Sequence, residues 1–150
     1  MNYLFDSDTL SFYYDASRNP EHELVKNRAL LLTSQDTLQT SELVMCEFEY
    51  SFSNVQGEKK EILKNTIQRI RDDFEIYTKI THEISHNFGE IKVLLKEKYK
   101  TSRKNMKMHN IDILLASTAI ANNCVLVGSD VNYKKIAKVV PEFNYEDWLL

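Results

Sequence analysis

The chain has 150 residues, of which 43% are hydrophobic and 11% aromatic, and its formal net charge is −3. This length and composition suffice for one globular domain with a hydrophobic core, and the slightly acidic balance gives no sign that the whole surface binds nucleic acid. No apolar run approaches the roughly 18 residues of a membrane span, and the N-terminus lacks a signal-peptide pattern. We therefore expect a single soluble, cytoplasmic domain over residues 1–150.

The first predicted element is a short apolar strand, Tyr3–Phe5, which is followed at once by Asp6. In a parallel sheet this carboxylate lies at the carboxyl edge of its strand, where such sheets place their chemistry. An equally simple explanation is that Asp6 and Asp8 cap a helix beginning near Thr9. Asp6 is thus a candidate site residue with a structural alternative.

A helix from Pro20 to about Leu31 and an extended piece near Leu38–Thr40 come next. Ser41 is then a suitable N-cap for a helix that runs to about Phe52. At about 100° per residue, Glu47 falls within the apolar arc of this helix, where a carboxylate is costly unless it is paired or bound to a cation. The pattern makes Glu47 a candidate ligand, with a buried ion pair as the alternative.

Two amphipathic helices are predicted over residues 59–77 and 82–99. The end of the second helix and the segment after it are strongly basic. A positive segment of this kind suits the phosphates of RNA, although most charged runs are simply solvated. Its basic residues are Lys92, Lys96, Lys98, Lys100, Arg103, Lys104 and Lys107.

The stretch that follows, residues 109–133, organises the predicted fold. Ile111–Ile120 is apolar nearly all round, which indicates a buried helix, and Asp112 falls in its first turn. Cys124–Val127 then predicts a strand that stops shortly before Asp130. Because strands that end in acids at opposite ends of a chain are often central neighbours in α/β sheets, we expect Asp6 and Asp130 to meet. A last strand is predicted near Val139–Val140.

Four acids therefore fall at strand ends, a helix start or a core-facing helical position: Asp6, Glu47, Asp112 and Asp130. No His or Cys accompanies them. We expect Cys46 and Cys124 to be reduced core thiols rather than zinc ligands. Oxygen-only ligation favours Mg²⁺ or Mn²⁺, the usual ions of phosphate chemistry. We expect these acids to bind such an ion, which would activate water for in-line attack on a phosphodiester.

Four stretches of the chain resemble, in order and spacing, the acidic motifs of PIN-domain proteins, and most closely those of VapC-like toxins. They are Tyr3–Leu10, Ser41–Tyr50 with Glu47, Asp112–Ala116 with Ala119, and Val127–Tyr133.

The resemblance implies a three-layer α/β/α fold with a central, mainly parallel, twisted sheet of four or five strands. It also implies a Mg²⁺- or Mn²⁺-dependent endoribonuclease that forms a homodimer and is neutralised by a cognate VapB-like antitoxin. Supporting polar roles follow for Ser129 and Asn132. The chain departs from the family pattern in having Asp8 where many relatives have Asn, and in a longer, more basic segment before Asp112.

Two alternatives remain open. Asp6-Ser7-Asp8-Thr9 also fits the opening of haloacid-dehalogenase-like phosphatases, in which Asp6 would be the nucleophile and Asp8 the general acid. Against this, Glu47 and Asp112 would have no task, and the acid expected a few residues after Asp130 is missing. The second alternative is a PIN scaffold that binds RNA or a partner protein without cutting.

Overall fold

The computed structural model describes residues 1–100, 104–105 and 109–150. The chain divides into two compact units, Met1–Thr78 with Leu149 and Lys79–Trp148 with Leu150. The single domain predicted from the sequence stays a prediction. Among the described residues, no helix is long and apolar enough to cross a membrane.

The first unit alternates strands and helices around three parallel strands. Its strands are β1 (Asn2–Phe5), β2 (Thr37–Ser41) and β3 (Glu75–Tyr77), and its helices are α1 (Ser7–Tyr14), α2 (Glu21–Leu30), α3 (Glu42–Asn54) and α4 (Glu58–Asp73). Strand β2 lies between the other two, with Leu38 opposite Tyr3 of β1 and Thr40 opposite Ile76 of β3. Because parallel strands need crossover connections, two helices follow β1 and two follow β2. Asp6 and the start of α3 consequently lie at the same edge of these strands.

An aromatic cluster fixes the junction of β1 and α1. The ring centroid of Phe5 lies 5.3 Å from that of Phe74 and 6.0 Å from that of Tyr13, both in edge-to-face geometry. Such pairs each contribute about 0.5–1.5 kcal/mol beyond the burial of their area. The backbone on either side of Asp6 is therefore anchored in the core of this unit, where Leu4 and Leu10 are also fully buried.

The second unit is built around one buried helix. Its helices are α5 (His82–Tyr99), α6 (Asn110–Ala121) and α7 (Val131–Val139), and its strands are β4 (Val125–Val127) and β5 (Tyr145–Glu146). Strands β4 and β5 are parallel, with Leu126 opposite Tyr145. Helix α6 packs on α5 and α7, and Ile113 and Leu115–Ala119 on it are buried. The prediction of an interior helix leading to a strand and then to Asp130 is confirmed.

Two predicted elements are wrong. The helix predicted to run to residue 77 ends at Asp73, and Glu75–Tyr77 forms β3. Phe74 continues the helical spacing of the preceding apolar residues, so the periodicity hides the change to a strand. The last strand lies at Tyr145–Glu146, whereas Val139 is the end of α7 and Val140 its C-cap. Their β-branched side chains suggested a strand, but the packing of α7 decides the conformation.

The two cysteines differ in environment. Both are free thiols, Cys124 buried and Cys46 exposed on α3. The prediction of a core thiol is thus confirmed for Cys124 and wrong for Cys46.

Candidate functional site

Asp112 lies in the first turn of α6 and is held by two side chains of α7. Its Oδ2 accepts a hydrogen bond from Asn132 Nδ2 at 2.8 Å, and its Oδ1 accepts one from the Tyr133 hydroxyl at 3.4 Å. Burial raises the pKa of Asp112, and the negative charge of Asp130 raises it further, against the opposing effect of the Asn132 hydrogen bond. The carboxylate is therefore fixed in position, but its charge is poorly compensated.

Asp130 follows β4 and is the N-cap of α7. Its Oδ1 accepts a hydrogen bond from the backbone N–H of Asn132 at 2.8 Å. The side chain itself is exposed, as is that of Ser129 before it. Asn132 thus binds both acids, Asp130 through its backbone and Asp112 through its amide. The structure brings these two predicted site residues together.

Asn132 also reaches the residue before α6. Its Nδ2 lies 2.8 Å from His109 Nδ1, and the Asn132 side chain is itself buried. Sequence reasoning gave His109 no role, because nothing in its spacing marks it. The buried amide therefore ties α7 to the start of α6 and sets the orientation of the carboxylate of Asp112.

Asp6 is buried at the junction of β1 and α1. Its Oδ1 accepts hydrogen bonds from the backbone N–H of Thr9 at 2.9 Å and from the Thr9 hydroxyl at 2.7 Å. The structural alternative for Asp6, capping of α1, is confirmed. A role in binding a metal ion stays a prediction, and capping orients the carboxylate whether or not it has that role.

Glu47 is not on the core-facing side of α3. The buried residues of this helix are Val44, Met45 and Phe48, and Glu47 is exposed. The prediction of a buried carboxylate is wrong because it placed Glu47 between Leu43 and Val44 in the apolar arc, and Leu43 is only partly buried. At about 100° per residue, Glu47 lies at the solvent edge of the buried stripe. It lines an open cavity of about 200 Å³ within the first unit, together with Ser7, Asp8, Ser11, Arg18, Phe48, Ser51 and Leu63.

Each unit thus contains two of the four predicted acids, and Asp112 and Asp130 share Asn132 as a partner. In the part of the chain that the structure describes, no three His, Cys, Asp or Glu side chains are grouped closely enough to hold a metal ion. Mg²⁺, however, is usually bound by one or two carboxylates together with waters and substrate phosphates. The Asp112 and Asp130 pair fits that donor set, and a common site for all four acids stays a prediction.

The basic segment begins on α5, close to the start of α6. Lys92 Nζ donates to Asn110 Oδ1 at 2.9 Å, which joins the two helices. Lys96, Lys98 and Lys100 are exposed. Arg103 and Lys107 lie outside the described residues. Contact of this segment with RNA stays a prediction.

Comparison with known proteins identifies the relatives of this chain. A family model described as the PIN domain matches residues 3–139. The chain is 27% identical over 141 residues to ribonuclease VapC2 of Rickettsia felis. The aligned region covers 94% of this chain and 95% of that protein.

Solved structures give the same result for the fold. A chain of the Rickettsia felis VapBC2 complex bound to a promoter DNA fragment has a TM-score of 0.74 and 24% identity, with 99% of each chain covered. VapBC-1 of nontypeable Haemophilus influenzae has a TM-score of 0.77 and 19% identity, with both chains covered completely. These similarities confirm the predicted PIN-like α/β fold.

Proposed function

The chain belongs to the PIN-domain family, and from this premise we propose that it is a metal-dependent endoribonuclease, the toxin of a VapBC-type toxin–antitoxin pair. The observation that carries the proposal is the pair of carboxylates Asp112 and Asp130, both hydrogen-bonded to Asn132. The similarity to ribonuclease VapC2 along nearly the whole chain also supports the proposal.

Mg²⁺ or Mn²⁺ is the proposed cofactor, with Asp112 and Asp130 as ligands and Asp6 and Glu47 as further ligands or catalytic groups. Oxygen donors without His or Cys suit hard cations. The raised pKa of Asp112 beside a second acid also shows that its negative charge is disfavoured, and a divalent cation would offset that cost. When bound, such an ion supplies Lewis-acid activation of water and of the scissile phosphate.

Asn132 would position the carboxylates of Asp112 and Asp130. The amide of Asn132 holds one carboxylate oxygen of Asp112, and its backbone N–H holds Asp130. Because both donors belong to Asn132, in the first turn of α7, a single residue orients the two carboxylates. This preorganisation is what a nuclease site needs before substrate arrives.

We further propose that a VapB-like antitoxin binds and neutralises the chain, that the chain forms a homodimer, and that it acts in the cytoplasm. The antitoxin is supported by the solved relatives, which are VapBC complexes from Rickettsia felis and Haemophilus influenzae. The homodimer is what the resemblance to VapC-like toxins implies, and the free thiols of Cys46 and Cys124 suit the cytoplasm. Induced expression should stop growth, and co-expression of the cognate antitoxin should restore it. Growth arrest that persists with an Asp112→Asn variant would count against cleavage as its cause.

Cleavage of end-labelled single-stranded RNA by the purified protein tests the activity. We expect Asp112→Asn to lower the cleavage rate by about 100-fold or more, because it removes a proposed ligand. Asp72→Asn is the matched control, since Asp72 is exposed on α4 and accepts a hydrogen bond from the nearby Gln68, its one hydrogen-bond partner among the described residues. If the chain were a phosphatase with Asp6 as nucleophile, wild type and Asp112→Asn would hydrolyse p-nitrophenyl phosphate equally well, and this outcome would overturn the proposal.

A further inference from the structure

Arg18 has a side chain that is held in a fixed orientation. It lies in the segment between α1 and α2, and its Nη1 donates to Ser11 Oγ at 2.7 Å. Its guanidinium carbon lies 4.2 Å from the centroid of the Phe12 ring, a cation–π contact. These two contacts restrict both the position and the plane of the guanidinium group.

The charge of Arg18 is not neutralised by an acid. Among the described residues, no carboxylate oxygen lies within 4.0 Å of its guanidinium nitrogens. Arg71 of the same unit shows the contrasting case, since it forms a two-pronged ion pair with Glu42. A fixed guanidinium with N–H groups to spare is suited to an oxyanion such as phosphate, two of whose oxygens can accept parallel hydrogen bonds from it.

The cavity that Arg18 lines is the one that contains Glu47. The volume of this cavity is about 200 Å³, and one water molecule takes about 30 Å³ in the liquid. The cavity is therefore large enough to hold a group of several heavy atoms such as a phosphate. Ser7, Ser11 and Ser51 add hydroxyl groups to its wall. The positive charge of Arg18 offsets the nearby carboxylates, which alone would repel a phosphate.

We propose that Arg18 is a substrate-positioning residue that binds a backbone phosphate of single-stranded RNA beside Glu47. This inference rests on the proposed ribonuclease function and extends it to a residue that the acidic motifs do not include. Because phosphate contacts position a nucleic acid without reading its bases, the contribution of Arg18 is independent of sequence. Ser11 and Phe12 have the supporting role of holding the guanidinium in place.

The test compares Arg18→Gln and Arg18→Lys with the control Arg69→Gln. Arg69 also lies over an aromatic ring, that of Tyr14 at 4.8 Å, but it does not line the cavity. KM and kcat for RNA cleavage are measured, together with RNA binding at several salt concentrations. We expect Arg18→Gln to raise KM about tenfold with a smaller change in kcat, as for the loss of one charge-assisted hydrogen bond or pair.

The salt dependence distinguishes a phosphate contact from a structural role. Loss of one phosphate contact lowers the slope of log affinity against log salt by about 0.7 for a single strand. Arg18→Lys should keep the wild-type slope and recover part of the affinity, because it keeps the charge but not the planar fork. An Arg18→Gln variant that matches Arg69→Gln in KM and in slope overturns the inference.

A second variant covers the case in which Arg18→Gln fails to fold. Ser11→Ala releases the guanidinium without removing its charge, so it should raise KM while the salt slope stays near that of wild type. An unchanged KM would contradict the role given to Arg18. A wild-type protein that binds RNA but never cuts it refutes the ribonuclease proposal alone, since the binding slopes still test Arg18.

Discussion

Replacing Asp112 by Asn should make the protein more stable and less active at the same time. The carboxylate of Asp112 is partly buried, and its raised pKa is caused first by that burial and then by the charge of Asp130. The folded state therefore holds a proton more tightly than the unfolded chain does, whose reference pKa is 3.8. Stability consequently falls as the pH rises from 3.8 towards the raised pKa, and the cost is complete above it.

The structure indicates which hydrogen bonds the Asp112→Asn substitution keeps and how it changes the free energy of unfolding. Asn at position 112 can still accept the 2.8 Å hydrogen bond from Asn132 Nδ2, and only the 3.4 Å contact with the Tyr133 hydroxyl, already long, is put at risk. Removal of the disfavoured charge should then raise the free energy of unfolding at pH 7 by about 1 kcal/mol. For a chain of this size that corresponds to a rise in Tm of about 2–4 °C.

Thermal unfolding without and with Mg²⁺ at several pH values checks this prediction. Without the ion, Asp112→Asn should melt above wild type at pH 7, and the two should converge near pH 3. With Mg²⁺ at 100 times its Kd, wild type should gain about 2.7 kcal/mol, whereas the variant should gain much less. Asp72→Asn, the exposed control, should follow wild type throughout. A variant that melts below wild type at pH 7, or a difference that persists in acid, would refute the reasoning.

Three further substitutions test the support of the site and the core. Asn132→Ala removes the amide that binds Asp112, so urea unfolding should show a loss of about 1–3 kcal/mol and cleavage should fall about 10- to 100-fold. Unchanged cleavage would show that the Asn132 amide does not position Asp112. Ile113→Ala leaves a cavity beneath α6, where Ile113 is fully buried, and should cost about 2–5 kcal/mol in the same assay, while a loss below 1 kcal/mol would mean that the helix is not part of the core. Thr9→Val deletes the 2.7 Å hydroxyl bond to Asp6 and should cost about 1 kcal/mol, and no loss would show that the backbone N–H alone caps α1.

The parts of the structure that could be predicted are those with local signals. The apolar run of α6, the strand after it and the stop before Asp130 all follow from neighbouring residues, and Ser41 was correctly predicted to be the cap of α3. Strands β3 and β5 have only three and two residues, and each exists because a parallel neighbour pairs with it. No window of sequence contains that information.

In the candidate site, too, local sequence patterns predict some features, whereas others depend on how the helices pack. Sequence patterns mark Asp6, Asp112 and Asp130, because each stands at the end of a strand or the start of a helix. The exposure of Glu47 depends on which neighbours α3 packs against, so helical geometry alone misplaced it. The contact of Asn132 with Asp112 joins residues 20 apart in the chain and requires α6 and α7 to pack together. Long-range contacts of this kind leave no periodicity to detect.

The most direct test is ion-dependent cleavage of single-stranded RNA. Protein treated with EDTA is mixed with end-labelled RNA, and Mg²⁺ or Mn²⁺ is then added back while product is followed. Wild type should be inactive without the ion and active after its return. Asp130→Asn, which keeps a good helix cap but loses the negative charge, should stay inactive at the same ion concentration. Cleavage that continues in EDTA, or full recovery in Asp130→Asn, would contradict a metal-dependent nuclease built on these carboxylates.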